Sequence, residues 1–152
     1  MIRHLGLKAY GKINLGLDVL GKREDGYHEV RMIMQTVGLY DKIDLYLKET
    51  PGITVETNLY YLPVNENNLV YKAAKLLMDE FHINHGVTIH LKKFIPVSAG
   101  MAGGSSDAAA VLFGVNKMFN LGLSMEDLMK RGVKIGADVP YCVMRGTALS
   151  EG

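Results

Sequence analysis

Residues 96–107 read Pro-Val-Ser-Ala-Gly-Met-Ala-Gly-Gly-Ser-Ser-Asp, and the residues on either side of this stretch decide the fold. Upstream, Val87, Ile89 and Leu91 alternate as on a strand; downstream, Ala108, Val111, Leu112, Val115 and Phe119 fall at helical spacing. A strand therefore runs into a helix through glycines, with Ser105 and Ser106 as candidate caps. Glycine lets the backbone approach a ligand closely. The unpaired N–H groups of a helix start, with a dipole equivalent to roughly half a positive charge, suit a polyphosphate. The two serines can add hydroxyls to phosphate oxygens or to Mg²⁺. No lysine follows the glycines, so this is not a Walker loop, and the Gly-x-Gly-x-x-Gly of the Rossmann turn is absent. On spacing alone, an ordinary flexible turn with a serine cap is an equal reading.

Moving outward, the stretch from Leu7 to Leu20 alternates, with Ile13, Leu15, Leu17 and Val19 opposite Lys12, Asn14, Gly16 and Asp18. This predicts a strand, then a hairpin loop over Gly21–Gly26, then a returning strand from Glu29 to Leu39. Two shorter runs, Ile43/Leu45/Leu47 and Ile53/Val55, extend the antiparallel pattern. Leu69, Ala73, Leu76, Leu77 and Phe81 share one helix face behind Asn68 as N-cap. Ser124-Met125-Glu126-Asp127 opens another helix that Lys130, Arg131 and Gly132 close, and Asp138–Leu149 reads as a loop followed by a strand. The pattern is α+β, with a sheet-rich first half, and the 152 residues suit one domain.

Composition excludes several classes. Seventeen Lys and Arg against 16 Asp and Glu leave a net charge of +1, too small for a nucleic-acid footprint. The longest apolar run, Ala108 to Val115, falls far short of the ~20 residues of a membrane span. Met1–Gly11 lacks the apolar core of a signal peptide, so a cytoplasmic location is expected. Cys142 lies in the apolar Tyr141-Cys142-Val143-Met144 and reads as a buried structural thiol rather than a nucleophile. His4, His82, His85 and His90 form no metal-ligand pattern, so no protein-bound transition metal is expected.

The segment Pro96–Ala110, PVSAGMAGGSSDAAA, resembles the second conserved motif of the GHMP kinases. Two further segments resemble, within that superfamily, the diphosphocytidyl-methylerythritol kinases. One is Ala9-Tyr10-Gly11-Lys12-Ile13-Asn14-Leu15 with Asp25-Gly26-Tyr27-His28-Glu29; the other is Gly136-Ala137-Asp138-Val139-Pro140-Tyr141. The resemblance runs from about Ala9 to Gly152 and implies the GHMP kinase N-terminal fold, of the ribosomal protein S5 domain 2-like type. It also implies transfer of the γ-phosphoryl of ATP to the 2-hydroxyl of a cytidine-diphosphate-linked methylerythritol, in the non-mevalonate route to isoprenoids.

By resemblance, Asp138 is the catalytic base and Lys12 its partner, a carboxylate for the hydroxyl proton and an ammonium for the charge of the transferred phosphoryl. The bland readings are an Asx turn at Asp138 and a solvated Lys12. The pre-proline position of Val139 would hold the Asp138 loop extended. Pro96, Gly100, Met101, Ala102, Gly103, Gly104, Ser105 and Ser106 match the ATP phosphate loop, with Ser105 and Ser106 as possible Mg²⁺ contacts and Ala102 where many relatives have glycine. Asn14 shares a strand face with Lys12, while Tyr27 and His28 match positions that stack on and hydrogen-bond the cytosine. Asn68 and Lys93 match positions lining the adenine pocket, although Asn68 is equally explained as a cap. ATP brings Mg²⁺ with it.

Most members of this family are nearly twice as long, with a second domain that carries a third glycine-rich motif. The resemblance therefore implies a chain, residues 1–152, that holds the N-terminal domain without its C-terminal partner. The face that would meet that partner is expected to be sticky and to drive self-association. Three alternatives stand beside this reading: a homoserine or mevalonate type of kinase, a non-catalytic nucleotide-binding fragment, and an RNA-binding module of similar fold.

Overall fold

Leu5, Leu7 and Ala9 are buried at every second position of the first strand, and Ile43 and Leu45 repeat the pattern on the strand beside it. The computed structural model describes residues 1–14, 34–95, 103–145 and 147–150. The strands are β1 (His4–Asn14), β2 (Met34–Lys48), β3 (Gly52–Thr57), β4 (Gly86–Lys92) and β5 (Thr147–Ser150). The helices are α1 (Leu69–Glu80), α2 (Gly103–Met118), α3 (Met125–Gly132) and α4 (Val139–Arg145). Among the described residues the strands form one sheet in the order β3-β4-β2-β1-β5. The α+β class read from the sequence is the class of this fold. The expected hairpin loop and the strand residues flanking it, 15–33, lie outside the described residues.

The run at Ile43–Leu47 is continuous with the returning strand before it, since β2 is one strand of 15 residues. Its register against β1 shifts between Tyr10 and Lys12, so a single polar-apolar count cannot be carried through. The strand at Ile53 and Val55 is parallel to β4 and not antiparallel, with Ile53 opposite Val87. The reason is the intervening helix: α1 carries the chain back across the sheet, which a tight turn cannot do.

Asn68 caps α1 by accepting from the Val70 N–H at 3.0 Å, while its own amide donates to the Pro63 carbonyl. Ser124 and Asp127 form a reciprocal capping box at α3. Ser105 and Ser106 are not caps: α2 already begins at Gly103, which places both in the helix. The loop expected after Asp138 is helix α4. Pro140 stands in its first turn, where the N–H that proline lacks has no helical partner to lose, so the pre-proline bias yields.

Val70, Ala73, Ala74 and Leu77 of α1, and Ala108–Leu112 with Val115 of α2, cover one face of the sheet. Gly114 permits that contact, because a Cβ there would lie 2.5 Å from Leu45 Cδ1 and 2.7 Å from Leu7 Cδ1. Cys142 is buried in the same core, as its apolar surroundings predict. The opposite face carries His4 stacked on Tyr46 at 4.5 Å, and His90 tilted against the same ring at 5.0 Å. No described helix is long and apolar enough to cross a membrane.

Candidate functional site

The start of α2 and the end of β4 meet at an open pocket. Leu62, Leu69 and Leu91 give it an apolar wall, and Asn68, Lys93, Gly104 and Asp107 give it polar groups. Asn68 and Lys93, which the resemblance assigned to one pocket, line one cavity, and Gly104 of the glycine stretch lies at the same cavity. Asn68 is both cap and pocket residue, so the two readings do not compete. Among the described residues, a Cβ on Gly104 would meet only Leu69 Cδ1, at 3.6 Å, an ordinary contact distance. An apolar wall with a few polar groups suits a heterocyclic base, and an adjacent helix start suits its phosphates.

Lys93 is held rigidly. Its Nζ donates to Asp41 Oδ2 at 2.7 Å and to Asp107 Oδ2 at 2.8 Å, with all three side chains almost wholly buried. The Lys93 backbone N–H donates to Asn58 Oδ1 at 2.8 Å, and Asn58 donates back to the Lys93 carbonyl. Burial works against the ammonium, but Asp107 and Asp41 outweigh it and hold Lys93 above its usual range. Sequence reasoning missed Asp41 and Asp107. A signal exists for Asp41: it stands two and four residues before Ile43 and Leu45, on the buried face of β2.

Ser105 is half-buried and Ser106 fully buried. The Ser106 hydroxyl donates to Cys142 Sγ at 3.4 Å, toward α4 and away from the pocket, which leaves Ser105 as the more accessible hydroxyl. A Cβ on Gly136 would sit 4.0 Å from Ser105 Oγ, so the start of α2 abuts the turn that leads into Asp138. Asp138 is exposed immediately before α4, and its carbonyl accepts from the Cys142 N–H at 3.2 Å. Lys12 and Asn14 stand in β1 opposite Thr36 and Met34, beyond the register shift. Tyr27, His28, Pro96, Gly100, Met101 and Ala102 lie outside the described residues. Among the described residues no group of His, Cys, Asp and Glu is arranged to hold a metal ion.

One sheet covered on one face by helices, with a glycine-led helix start beside a pocket, is an α+β architecture, and comparison fixes the family. The model of the GHMP kinases N terminal domain matches residues 68–146, just over half of the 152 residues, and the chain belongs to that family. It is 66% identical over 148 residues to a 4-diphosphocytidyl-2-C-methyl-D-erythritol kinase of Lachnoclostridium phytofermentans, covering 97% of this chain and 51% of that protein. It is 59% identical over 146 residues to the kinase of the same name from Clostridium perfringens, covering 96% and 51%. The chain spans about half the length of the curated relatives it matches.

Among solved structures, a 4-(cytidine 5'-diphospho)-2C-methyl-D-erythritol kinase is 34% identical, with a TM-score of 0.69 over 97% of this chain and 52% of that one. A homoserine kinase from Cytophaga hutchinsonii has a TM-score of 0.76 at 19% identity, over 98% and 49%, which shows the shared fold.

Proposed function

We propose that this chain is the N-terminal, nucleotide-binding part of an ATP-dependent kinase acting on the 2-hydroxyl of 4-diphosphocytidyl-2-C-methyl-D-erythritol, in the non-mevalonate route to isoprenoids. The observation that carries the reading is 66% identity over 97% of the chain to a kinase of that name. The site geometry supports it. ATP seats its base in the pocket of Asn68, Lys93, Leu69 and Leu91, and its phosphates at the Gly103–Gly104 start of α2.

Asp138 then accepts the proton of the attacking hydroxyl, and Lys12 orients that carboxylate and balances charge on the phosphoryl. Exposure of Asp138, beside the turn that meets Ser105, suits a group that must reach a substrate. Asn14, Tyr27 and His28 hold the cytidine-bearing substrate, as the resemblance implies. When bound with ATP, Mg²⁺ neutralises phosphate charge. Ser105 fits that ion better than Ser106, whose hydroxyl is turned to Cys142. The reaction is placed in the cytoplasm. Exposed Tyr60, Tyr61 and Phe94 support the expected self-association.

Isothermal titration of the chain tests this, once with a non-hydrolysable ATP analogue and Mg²⁺ and once with the cytidine-containing substrate. Saturable binding of both is expected, and binding of neither overturns the reading. Binding of the analogue together with a non-nucleotide alcohol, and not the cytidine compound, would replace it with a homoserine or mevalonate type of kinase.

A further inference from the structure

Lys93 and Asp107 line the pocket, and the charges of the buried cluster they form with Asp41 do not balance. Two carboxylates face one ammonium with almost no solvent. Asp41 is well satisfied: Oδ2 accepts from Lys93, and Oδ1 accepts from the Phe94 N–H at 2.6 Å and the Ile95 N–H at 2.8 Å. Asp107 is not. Its Oδ2 accepts from Lys93, while its Oδ1 is buried without a partner, a costly state for a carboxylate oxygen.

One proton on Asp107 removes the excess charge, and the unpartnered Oδ1 is the oxygen open to carry it, since Oδ2 accepts from Lys93. Asp41 and Asp107 meet on the same Lys93 Nζ, at 2.7 and 2.8 Å, which makes the Asp41 carboxylate a close neighbour of that acid. One acid, one carboxylate and one ammonium are then neutral together. Burial pushes the Asp107 carboxyl well above the ordinary range and the hydrogen bond with Asp41 adds to this, against an opposing Lys93. The charged groups acting on Asp107 are Asp41 from β2 and Lys93 from beyond β4. On the α1 side the pocket offers uncharged Asn68, and on α4 Cys142 faces Ser106.

The cluster's place in the chain gives it a task. Asp41 grips the N–H groups of Phe94 and Ile95, immediately before residue 96. Asp107 stands in α2 immediately after the glycine-serine start at 103–106. We propose that Asp41, Lys93 and Asp107 form a charge-neutral staple sharing one carboxyl proton, which fixes the chain on both sides of the glycine-rich stretch and so positions the nucleotide pocket. The positioning half of this inference rests on the nucleotide reading, and the proton half does not.

Carboxyl carbon NMR of the chain labelled in aspartate, with Asp107→Asn to assign the signal, tests the proton directly. Asp107 is expected to keep the shift of a neutral acid at neutral pH, where an ordinary aspartate, with a value of about 3.9, is ionised. An ionised Asp107 there overturns the staple. The amide signals of Phe94 and Ile95 should move in Asp107→Leu and far less in Asp107→Asn, which retains an uncharged donor. Equal movement in both overturns the shared proton.

With the ATP analogue, Asp107→Leu should bind about tenfold or more weakly than Asp107→Asn, the size of one lost buried hydrogen bond. The wild-type affinity should fall as rising pH ionises Asp107, and that of the Asn variant should not. Equal affinities for the two variants overturn the positioning role. Failure of the wild type to bind any nucleotide would sink the nucleotide reading, while the carboxyl and amide signals still decide the staple.

Discussion

Lys93 and Arg131 each tie together parts of the chain that are distant in sequence, in opposite surroundings. Lys93 joins β2 to α2 through two aspartates in the core. Arg131 of α3 holds Glu80 of α1 at the surface, its Nε 2.9 Å from Oε1 and its second nitrogen on Oε2, and it lies over the Phe81 ring. The exposed pair keeps water as an alternative partner for both charges. The buried cluster has none, so each of its members depends on the others. Position within the fold, more than the kind of residue, decides which ion pair a site can be built on.

The largest break in this comparison comes from Lys93→Met, which leaves two acids buried without a counter-charge. A loss of about 3–5 kcal/mol is expected in chemical denaturation. A loss no larger than that of an Arg131 variant would remove the distinction.

The two clusters also respond to pH with opposite sign. Asp107 is raised in the fold by burial and by Asp41, so the folded state holds its proton over the range where the unfolded chain releases it. Stability from this group is therefore lost as pH rises toward the raised value. Glu80 is lowered by its hydrogen bond with Arg131, so its contribution is present above the ordinary carboxylate value and is lost as pH falls through the depressed one. Denaturation across pH should show Asp107→Asn flattening the loss of stability that sets in as pH rises above the ordinary carboxylate value, and Glu80→Gln flattening the loss as pH falls below it. The reverse assignment would contradict the account. The smallest effect is that of Arg131→Met, about 1 kcal/mol or less and shrinking further in salt.

Local signals carried much of the fold. A strand through Leu7, the Asn68 cap, the helix start at Ser124–Asp127 and the strand at Val87–Leu91 each depend on neighbours within a few residues, and each is in place. What failed depended on distance or on competing rules. The direction of β3 follows from where α1 returns the chain, which Ile53 and Val55 cannot report. Pro140 suggested a loop, but proline is tolerated in a first helical turn. Of the site, the passage from glycines into a helix was legible because that spacing is local, although the helix begins at Gly103 and not behind Ser105 and Ser106. The Asp41–Lys93–Asp107 cluster was not, because its members come from three separate elements. Only the break in burial logic at Asp41, an acid in register with Ile43 and Leu45, marked it.

If the proposed function holds, a nucleotide occupies the pocket at the start of α2. Amide NMR of the chain titrated with a non-hydrolysable ATP analogue and Mg²⁺ tests it most directly. Saturable shifts at Leu69, Lys93, Gly104 and Ser105, with His4, Tyr46 and His90 on the open sheet face unmoved, are the predicted result. Shifts confined to that open face, or none at any concentration, would contradict it.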